Sequence, residues 1–269
     1  MKIEEVTPLI LSFNESPNIR DTLSRLSWAS RVVVVDSFSS DKTLEILSQF
    51  PNVQVYQRRF DHFADQCNYG LEKIKTPWVL SLDADYKCPA GLASELEGLD
   101  GTKHGYFAGF KYCIFGKALR ATLYPPRTIL YRKASAKYER DGHAHKVTIS
   151  GEKGRLGSVL LHDDRKSLAV WCASQVRYAN DEAKKLAGTA KQDLGWKDRL
   201  RLWYVVAPIL TLFYCLFYKA LILDGWRGIY YSLQRVFAEL ILGLVLLDRK
   251  LRAESGDNQE FIDETGENN

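Results

Sequence analysis

Asp83 and Asp85 stand one residue apart at the end of an apolar run, Trp78-Val79-Leu80-Ser81-Leu82. Such a run reads as a buried strand whose end delivers two carboxylates to solvent. Oxygen ligands paired in this way suit a hard divalent cation, whose shell the phosphates of a nucleotide can complete. Two further runs end in polar groups: Leu9-Ile10-Leu11 opens into Ser12, Asn14 and Glu15, and Val32-Val33-Val34-Val35 opens into Asp36. An Asp-x-Asp pair alone is weak evidence, because acidic pairs are common in solvated turns. The neighbouring runs that end in the same way raise its weight.

The elements that must position these residues follow from periodicity. Ser16 is a candidate N-cap and Pro17 suits a first helical position, with Ile19, Leu23 and Leu26 recurring at helical spacing. Val32–Val35 is wholly β-branched and suits a strand covered on both faces. A helix over Lys42–Phe50, a strand over Val53–Tyr56, a helix over Ala64–Ile74 and the strand Trp78–Leu82 continue the alternation. That order predicts a mostly parallel sheet flanked by helices, an α/β fold whose ligands bind beyond the carboxyl ends of the strands. Tyr106–Phe115, Thr128–Tyr131 and Lys146–Ser150 read as further strands that make the sheet mixed.

Taken together and in order, several motifs make the chain resemble inverting family 2 glycosyltransferases. These are Leu11–Ile19, Val35–Thr43, Gln66–Gly70, Leu82–Asp85, Pro126–Arg132 and Asp141-Gly142-His143. The resemblance covers roughly residues 5–250 and is strongest to the bacterial group that builds lipopolysaccharide cores and other cell-surface glycans. It implies the Rossmann-like GT-A fold, a UDP-sugar donor, a lipid-linked saccharide acceptor, and Mg2+ or Mn2+ as cofactor. It also implies that Asp36 binds the uridine, Asp83 the nucleotide and Asp85 the metal, with Ser12, Asn14, Glu15, Asn68, Ala84 and Arg127 completing the nucleotide-sugar site.

An inverting transfer displaces the nucleotide diphosphate in one in-line step, so a carboxylate on the opposite face must take the acceptor's proton. Asp141, beside Gly142, is the expected base and Glu139 the reserve; an Asp-Gly turn that merely closes a hairpin is the structural alternative. His143 is expected to touch metal, diphosphate or acceptor, and His145 lies two residues on, so that an extended backbone puts both on one face. Some relatives carry His-Glu here where this chain has His143-Ala144, which leaves the identity of the base open. Arg127 and Arg132 flank a strand and suit phosphate oxygens. His162 is a further candidate for the diphosphate pocket. The helix that follows has Leu168, Trp171, Gln175, Tyr178 and Glu182 at three- or four-residue steps, expected to pack on the catalytic domain.

Composition bounds the rest. At 269 residues, 46% hydrophobic and 26% charged, the chain can bury a full core and carry an appendage. The expected division is 1–165 catalytic (1–100 for the nucleotide sugar, 101–165 for the acceptor), 166–252 helical and membrane-associating, and 253–269 an acidic disordered tail. Five cysteines without C-x-x-C spacing argue against a disulfide framework or zinc site and for a reducing compartment. Six acids and no Lys or Arg follow Arg252, so residues 1–252 carry a formal +10. A basic body is drawn to phosphate-rich surfaces. No nucleic-acid module is recognisable, so anionic lipid is the expected surface and nucleic acid is not an expected partner.

Leu202–Tyr218 lacks any charge and runs on past Lys219, while Ile229–Leu247 is interrupted by Arg235 and Glu239. Pro208, the flanking aromatics and these mid-run charges favour helices that lie in the interface or form a shallow re-entrant hairpin, over a spanning pair or a buried pair. With no secretory signal at Met1–Pro8, the expected location is the cytoplasmic face of the bacterial inner membrane. Two other enzyme classes share parts of the pattern. A sugar-nucleotide pyrophosphorylase needs a glycine-rich loop after the first strand, and Ser12–Asn18 has no glycine; an aspartyl-phosphate phosphatase needs Thr or Val where this chain has Lys87. The third alternative is a non-catalytic membrane-binding scaffold, which would have no need of Asp83, Asp85 and Asp141 together.

Overall fold

The computed structural model describes residues 1–141, 144–190 and 192–255, with the backbone alone at 140, 141 and 144–146. The first half alternates as its hydrophobic runs predict: β1 (Val6–Ser12), α1 (Ile19–Ser24), β2 (Val32–Asp36), α2 (Thr43–Leu47), β3 (Val53–Gln57), α3 (Phe63–Lys73) and β4 (Trp78–Asp83). The four strands lie parallel in the order β3-β2-β1-β4. Ser12 is level with Asp36, and Leu11 with Asp83, so three strands end within a residue of one another. That register gathers the polar groups at one edge of the sheet. α3 comes close enough that a Cβ on Gly70 would lie 2.5 Å from Leu9 Cδ1.

The first helix starts later than its Ser-Pro signal predicts. Asn18 occupies the N-cap position, and the Ser16 N–H donates instead to Asp41 Oδ2 at 3.1 Å. The cost of the delayed start is offset by contacts that Asn18 makes in the site described below.

The second half comprises β5 (Tyr86–Lys87), α4 (Leu92–Gly98), β6 (Gly105–Ile114), β7 (Lys117–Ala118), β8 (Arg127–Arg132), β9 (Ala136–Asp141), β10 (Ala144–Ile149) and β11 (Lys153–His162). The sheet continues β4-β8-β6-β11-β5, antiparallel except for the β6–β11 pair. The result is the mixed α/β class expected. Lys146–Ser150, expected in the main sheet, instead lies in β10, which pairs only with β9. Tyr138, Val147 and Ile149 of this hairpin join Leu9, Val33, Val35 and Tyr131 in the core on the α3 side. The place in the sheet is taken by β11, whose Gly154 and Gly157 and lack of a β-branched run hide a strand that pairing with β6 makes.

The C-terminal part is helical: α5 (Leu168–Gly188), α6 (Trp196–Arg201), α7 (Val206–Phe213), a π turn at Tyr214–Tyr218, a 3-10 turn at Leu221–Asp224, and α8 (Trp226–Ser255). Pro208 falls in the first turn of α7, where a missing N–H costs little. The expected stripe of α5 is not its buried face. Ala179, Ala183 and Leu186 are buried instead, packed with Leu194 and with Leu242 of α8, because α5 lies on α8. The helical part is tied to the sheet where Cys215, Leu221 and Tyr231 pack with Tyr112, Ile114 and Leu119. Arg120 adds an ion pair to Asp224 at 3.1 Å.

Of the two apolar segments, the first breaks into short helices and turns. The second, α8, is the one helix among the described residues long and apolar enough to cross a membrane, with a mean hydropathy of 1.4 over its most apolar 18 residues. Its mid-run charges are engaged within the protein: Glu239 pairs with Arg201 at 3.1 Å, and the Arg235 guanidinium lies 5.8 Å from the Trp171 ring. The acidic tail lies outside the described residues from 256 onward.

Candidate functional site

Three strand ends build the site. Asp36, fully buried at the end of β2, accepts from the Ser12 hydroxyl at 2.9 Å and from the Ser39 backbone N–H at 2.9 Å. Gln57 donates to the same oxygen as the Ser39 N–H, at 3.5 Å. Asp36 therefore shapes the loop after β2 from beneath, and Ser12 serves it rather than facing solvent. Asn14 adopts the left-handed conformation (φ 52°), which asparagine tolerates better than most residues. Its side-chain oxygen accepts from the backbone N–H of Ser40 at 2.9 Å, so the loops after β1 and β2 form one unit. Phe38, also left-handed (φ 59°), is 51% exposed on this unit and Phe13 is 52% exposed. Nothing in the local sequence pattern marks either ring, although both lie next to candidate site residues.

Glu15 is mostly buried and accepts from Asn18 at 2.9 Å and from the Lys166 ammonium. Burial is the largest influence on its carboxyl and raises it from 4.5 to about 7, with Asp85 adding to the rise and Lys166 opposing it. Asn18 also donates to Asp164 at 3.3 Å and accepts from the Arg165 N–H at 3.0 Å, which fastens the 163–166 segment over the first strand. No local signal marks Lys166 as part of a site, because its partner lies 151 residues earlier in the chain.

At the end of β4, Asp83 accepts from Arg127 at 3.2 Å. Arg127 also donates to the Tyr86 hydroxyl at 3.0 Å and lies 5.1 Å from the Tyr124 ring. Burial works against its charge, but Asp83, Tyr86 and Tyr124 together outweigh it and the guanidinium is held above its ordinary pKa. Ala84 is buried, and its carbonyl accepts from the Thr22 hydroxyl at 2.7 Å, which pins the turn between the two aspartates to α1.

Asp85 points inward. One oxygen lies 3.0 Å from His162 Nε2; the other, Oδ1, is buried with no hydrogen-bond partner. The pairing of β11 with β5 sets His162 level with Tyr86 and, with the Asp163 N–H donating to the Asp85 carbonyl at 3.1 Å, brings it to Asp85 across 77 residues of sequence. Burial disfavours a charge on His162, but Asp85, with Asp83 and Asp164, outweighs it and holds the imidazole above its ordinary pKa. Tyr86, Tyr112 and Tyr124 surround the ring at centroid distances of 5.4, 4.7 and 4.9 Å.

A buried carboxylate oxygen without a donor is costly unless a cation or proton meets it. Among the described residues no group of three or more His, Cys, Asp or Glu side chains forms a metal cage. The donor set fits a metal that takes one or two protein carboxylates and completes its shell with substrate phosphates and water, as Mg2+ does. Asp85, with Asp83 beside it, would hold that ion.

Other expected residues stand elsewhere. Asn68 spends both ends of its amide on the Tyr138 backbone, at 3.1 and 3.2 Å, and so fixes the β9–β10 hairpin to α3. Glu139, the reserve base, accepts from Thr148 at 3.3 Å and lies 3.7 Å from Lys137, all within the hairpin. Arg132 donates to the Gly101 carbonyl at 2.7 Å and lies over Trp78, away from the strand ends. Asp141 ends β9, but its side chain, like His143 and the side chain of His145, lies outside the described residues.

Parallel strands that end in aspartates place this crevice where ligands bind in α/β folds, beyond the carboxyl ends of the strands. The pattern of glycosyl transferase family 2 matches residues 9–150, more than half of the chain, and the chain belongs to that family. A lipopolysaccharide core biosynthesis glycosyltransferase, LpsC of Rhizobium meliloti, is 22% identical over 172 residues, 58% of this chain and 62% of the relative. An uncharacterized glycosyltransferase of Rickettsia bellii is 27% identical over 95 residues, 35% of this chain and 32% of the relative. The chain thus spans about a third of one of these relatives and 62% of the other. Among solved structures, residues 1–349 of TarS from S. aureus, crystallised with UDP-GlcNAc, aligns with a TM-score of 0.46 at 12% identity, covering 93% of this chain and 92% of that one.

Proposed function

We propose that this protein transfers a hexose from a UDP-sugar to a lipid-linked saccharide, with inversion and with Mg2+ or Mn2+ as cofactor. The observation that carries the reading is the unpartnered, buried Oδ1 of Asp85 at the strand end. In this reading Asp85 and Asp83 would hold the cation, which would supply positive charge beside the diphosphate. Arg127, already oriented by Asp83 and Tyr86, lies where a phosphate oxygen can accept from it. Asn14 and Glu15 shape the floor, Asp36 holds the loop that receives the uridine, and Phe13 and Phe38 offer rings on which the base stacks. Asp141 takes the proton of the acceptor hydroxyl as the new glycosidic bond forms.

The same reading places the enzyme on the cytoplasmic face of a bacterial inner membrane, with α6, α7 and α8 lying in the interface. Trp203, Phe213, Phe217, Tyr218 and Trp226 are all exposed, an apolar surface that water alone would not favour. Placing α8 across a bilayer would take the Arg201–Glu239–Glu182 ion pairs into hydrocarbon, which favours the in-plane arrangement.

The test is binding of UDP and UDP-hexoses with and without Mn2+, read by calorimetry, followed by release of UDP on addition of lipid-linked saccharide. Metal-dependent binding at micromolar to millimolar strength that Asp85→Ala weakens at least 100-fold supports the reading. Binding that ignores both metal and Asp85 would defeat it.

A further inference from the structure

A cavity of about 450 Å3 lies beside the strand-end crevice, between β6, the 164–168 segment, α5 and α8. Its size is that of a small-molecule site. The two spaces share walls. Tyr112 lines the cavity with one side while its ring lies 4.7 Å from that of His162, the partner of Asp85. Lys166 lines it while bound to Glu15.

The lining joins aromatic rings, Tyr112, Phe115, Trp171 and Tyr230, to a few polar groups. Asp164 offers a carboxylate. Gln234 lines the cavity, and its side-chain oxygen is buried without a hydrogen-bond partner. An unpartnered acceptor costs free energy until a donor meets it. Aromatic rings beside acceptors match a sugar, whose C–H face can stack while its hydroxyls donate. A hydrocarbon chain would leave Gln234 unpaired, so it fits less well.

We propose that this cavity is a saccharide subsite that holds a hexose unit of the acceptor beside the donor crevice. The proposal rests on the glycosyltransferase reading above and adds where the acceptor sits. Two of its walls, Trp171 and Gln234, come from helices outside the residues that the family pattern matches. Phe115, 80% exposed at its edge, lies 5.8 Å from Tyr230 near the start of α8, so a sugar bound here would lie close to the apolar helices and to the lipid that carries it.

Methyl hexosides and disaccharides, titrated at millimolar concentration into the full chain and read by saturation-transfer NMR, test this directly. Wild-type protein should give saccharide signals that weaken at least fivefold in Trp171→Ala and in Gln234→Leu, while Trp171→Phe retains most of them. Thermal melting of each variant checks folding, and Gln234→Leu carries the test should Trp171→Ala not fold. No saccharide signal in wild type, signals indifferent to these substitutions, or displacement of the sugars by UDP would each overturn the subsite. An alkyl chain without a sugar that displaces the hexosides would make the cavity a lipid pocket and overturn it equally. Loss of UDP binding in the wild-type protein, by contrast, would strike the donor reading and not the subsite.

Discussion

Glu15 carries a charge that depends on where the fold puts it. Its carboxyl titrates near 7 in the folded chain, raised from 4.5 chiefly by burial, so the folded state binds a proton more tightly than the unfolded one. Its contribution to stability is therefore full below about pH 4.5 and is lost as the pH rises through about 7. Replacing it by glutamine should flatten that limb, a change of about 1–3 kcal/mol between pH 5 and 8 in urea unfolding. An unchanged pH profile would show that Lys166 keeps the carboxylate ionised. Asp141 makes a second test at this scale. Asp141→Asn should bind UDP-sugar and metal as the wild type does yet lose transfer by about 100-fold or more, checked by release of UDP with acceptor present. Retained transfer would move the base to Glu139 or beyond.

At the scale of elements, close approaches decide what can change. Gly228 sits in the first turns of α8 against the 3-10 turn that precedes it, where a Cβ would lie 1.8 Å from the Leu221 carbonyl oxygen. Backbone cannot step aside as a side-chain end can, so Gly228→Ala should cost about 2–4 kcal/mol, measured by thermal or chemical unfolding. Gly70 faces the flexible end of Leu9, and alanine there should cost less, about 1–2 kcal/mol. Equal effects at the two sites would show that the turn leading into α8 yields. The strands with continuous apolar runs, β1, β2 and β4, are legible in the amino-acid order because their burial needs no partner to be named. β11 is not, since its glycines carry no pattern and its extended form depends on β6.

For the whole molecule, the helical part is both a surface and a wall. Cys215, Leu221 and Tyr231 cover Tyr112, Ile114 and Leu119, so a chain cut ahead of α7 would expose that cluster and aggregate. Substitution of surface rings is the better probe of membrane attachment. Full-length protein should sediment with vesicles containing anionic lipid, and Trp203→Ser, Phe217→Ser and Trp226→Ser together should weaken this at least fivefold with the fold intact. Attachment that survives the triple substitution would put the membrane contact elsewhere. Part of the attachment should also fall with salt, because residues 1–252 carry a formal +10.

The amino-acid order by itself determined the alternating nucleotide half, the strand ends that present Asp36, Asp83 and Asp85, and the apolar C-terminal segments. Each of these rests on local periodicity, which the chain carries wherever it folds. Only the tertiary structure decided that Asp36 supports a loop from below, that Asn68 clamps a hairpin, and that His162 and Lys166 reach Asp85 and Glu15. Those outcomes depend on pairings between residues 24 to 151 positions apart. Sequence spacing cannot encode them, because burial and charge act through space rather than along the chain.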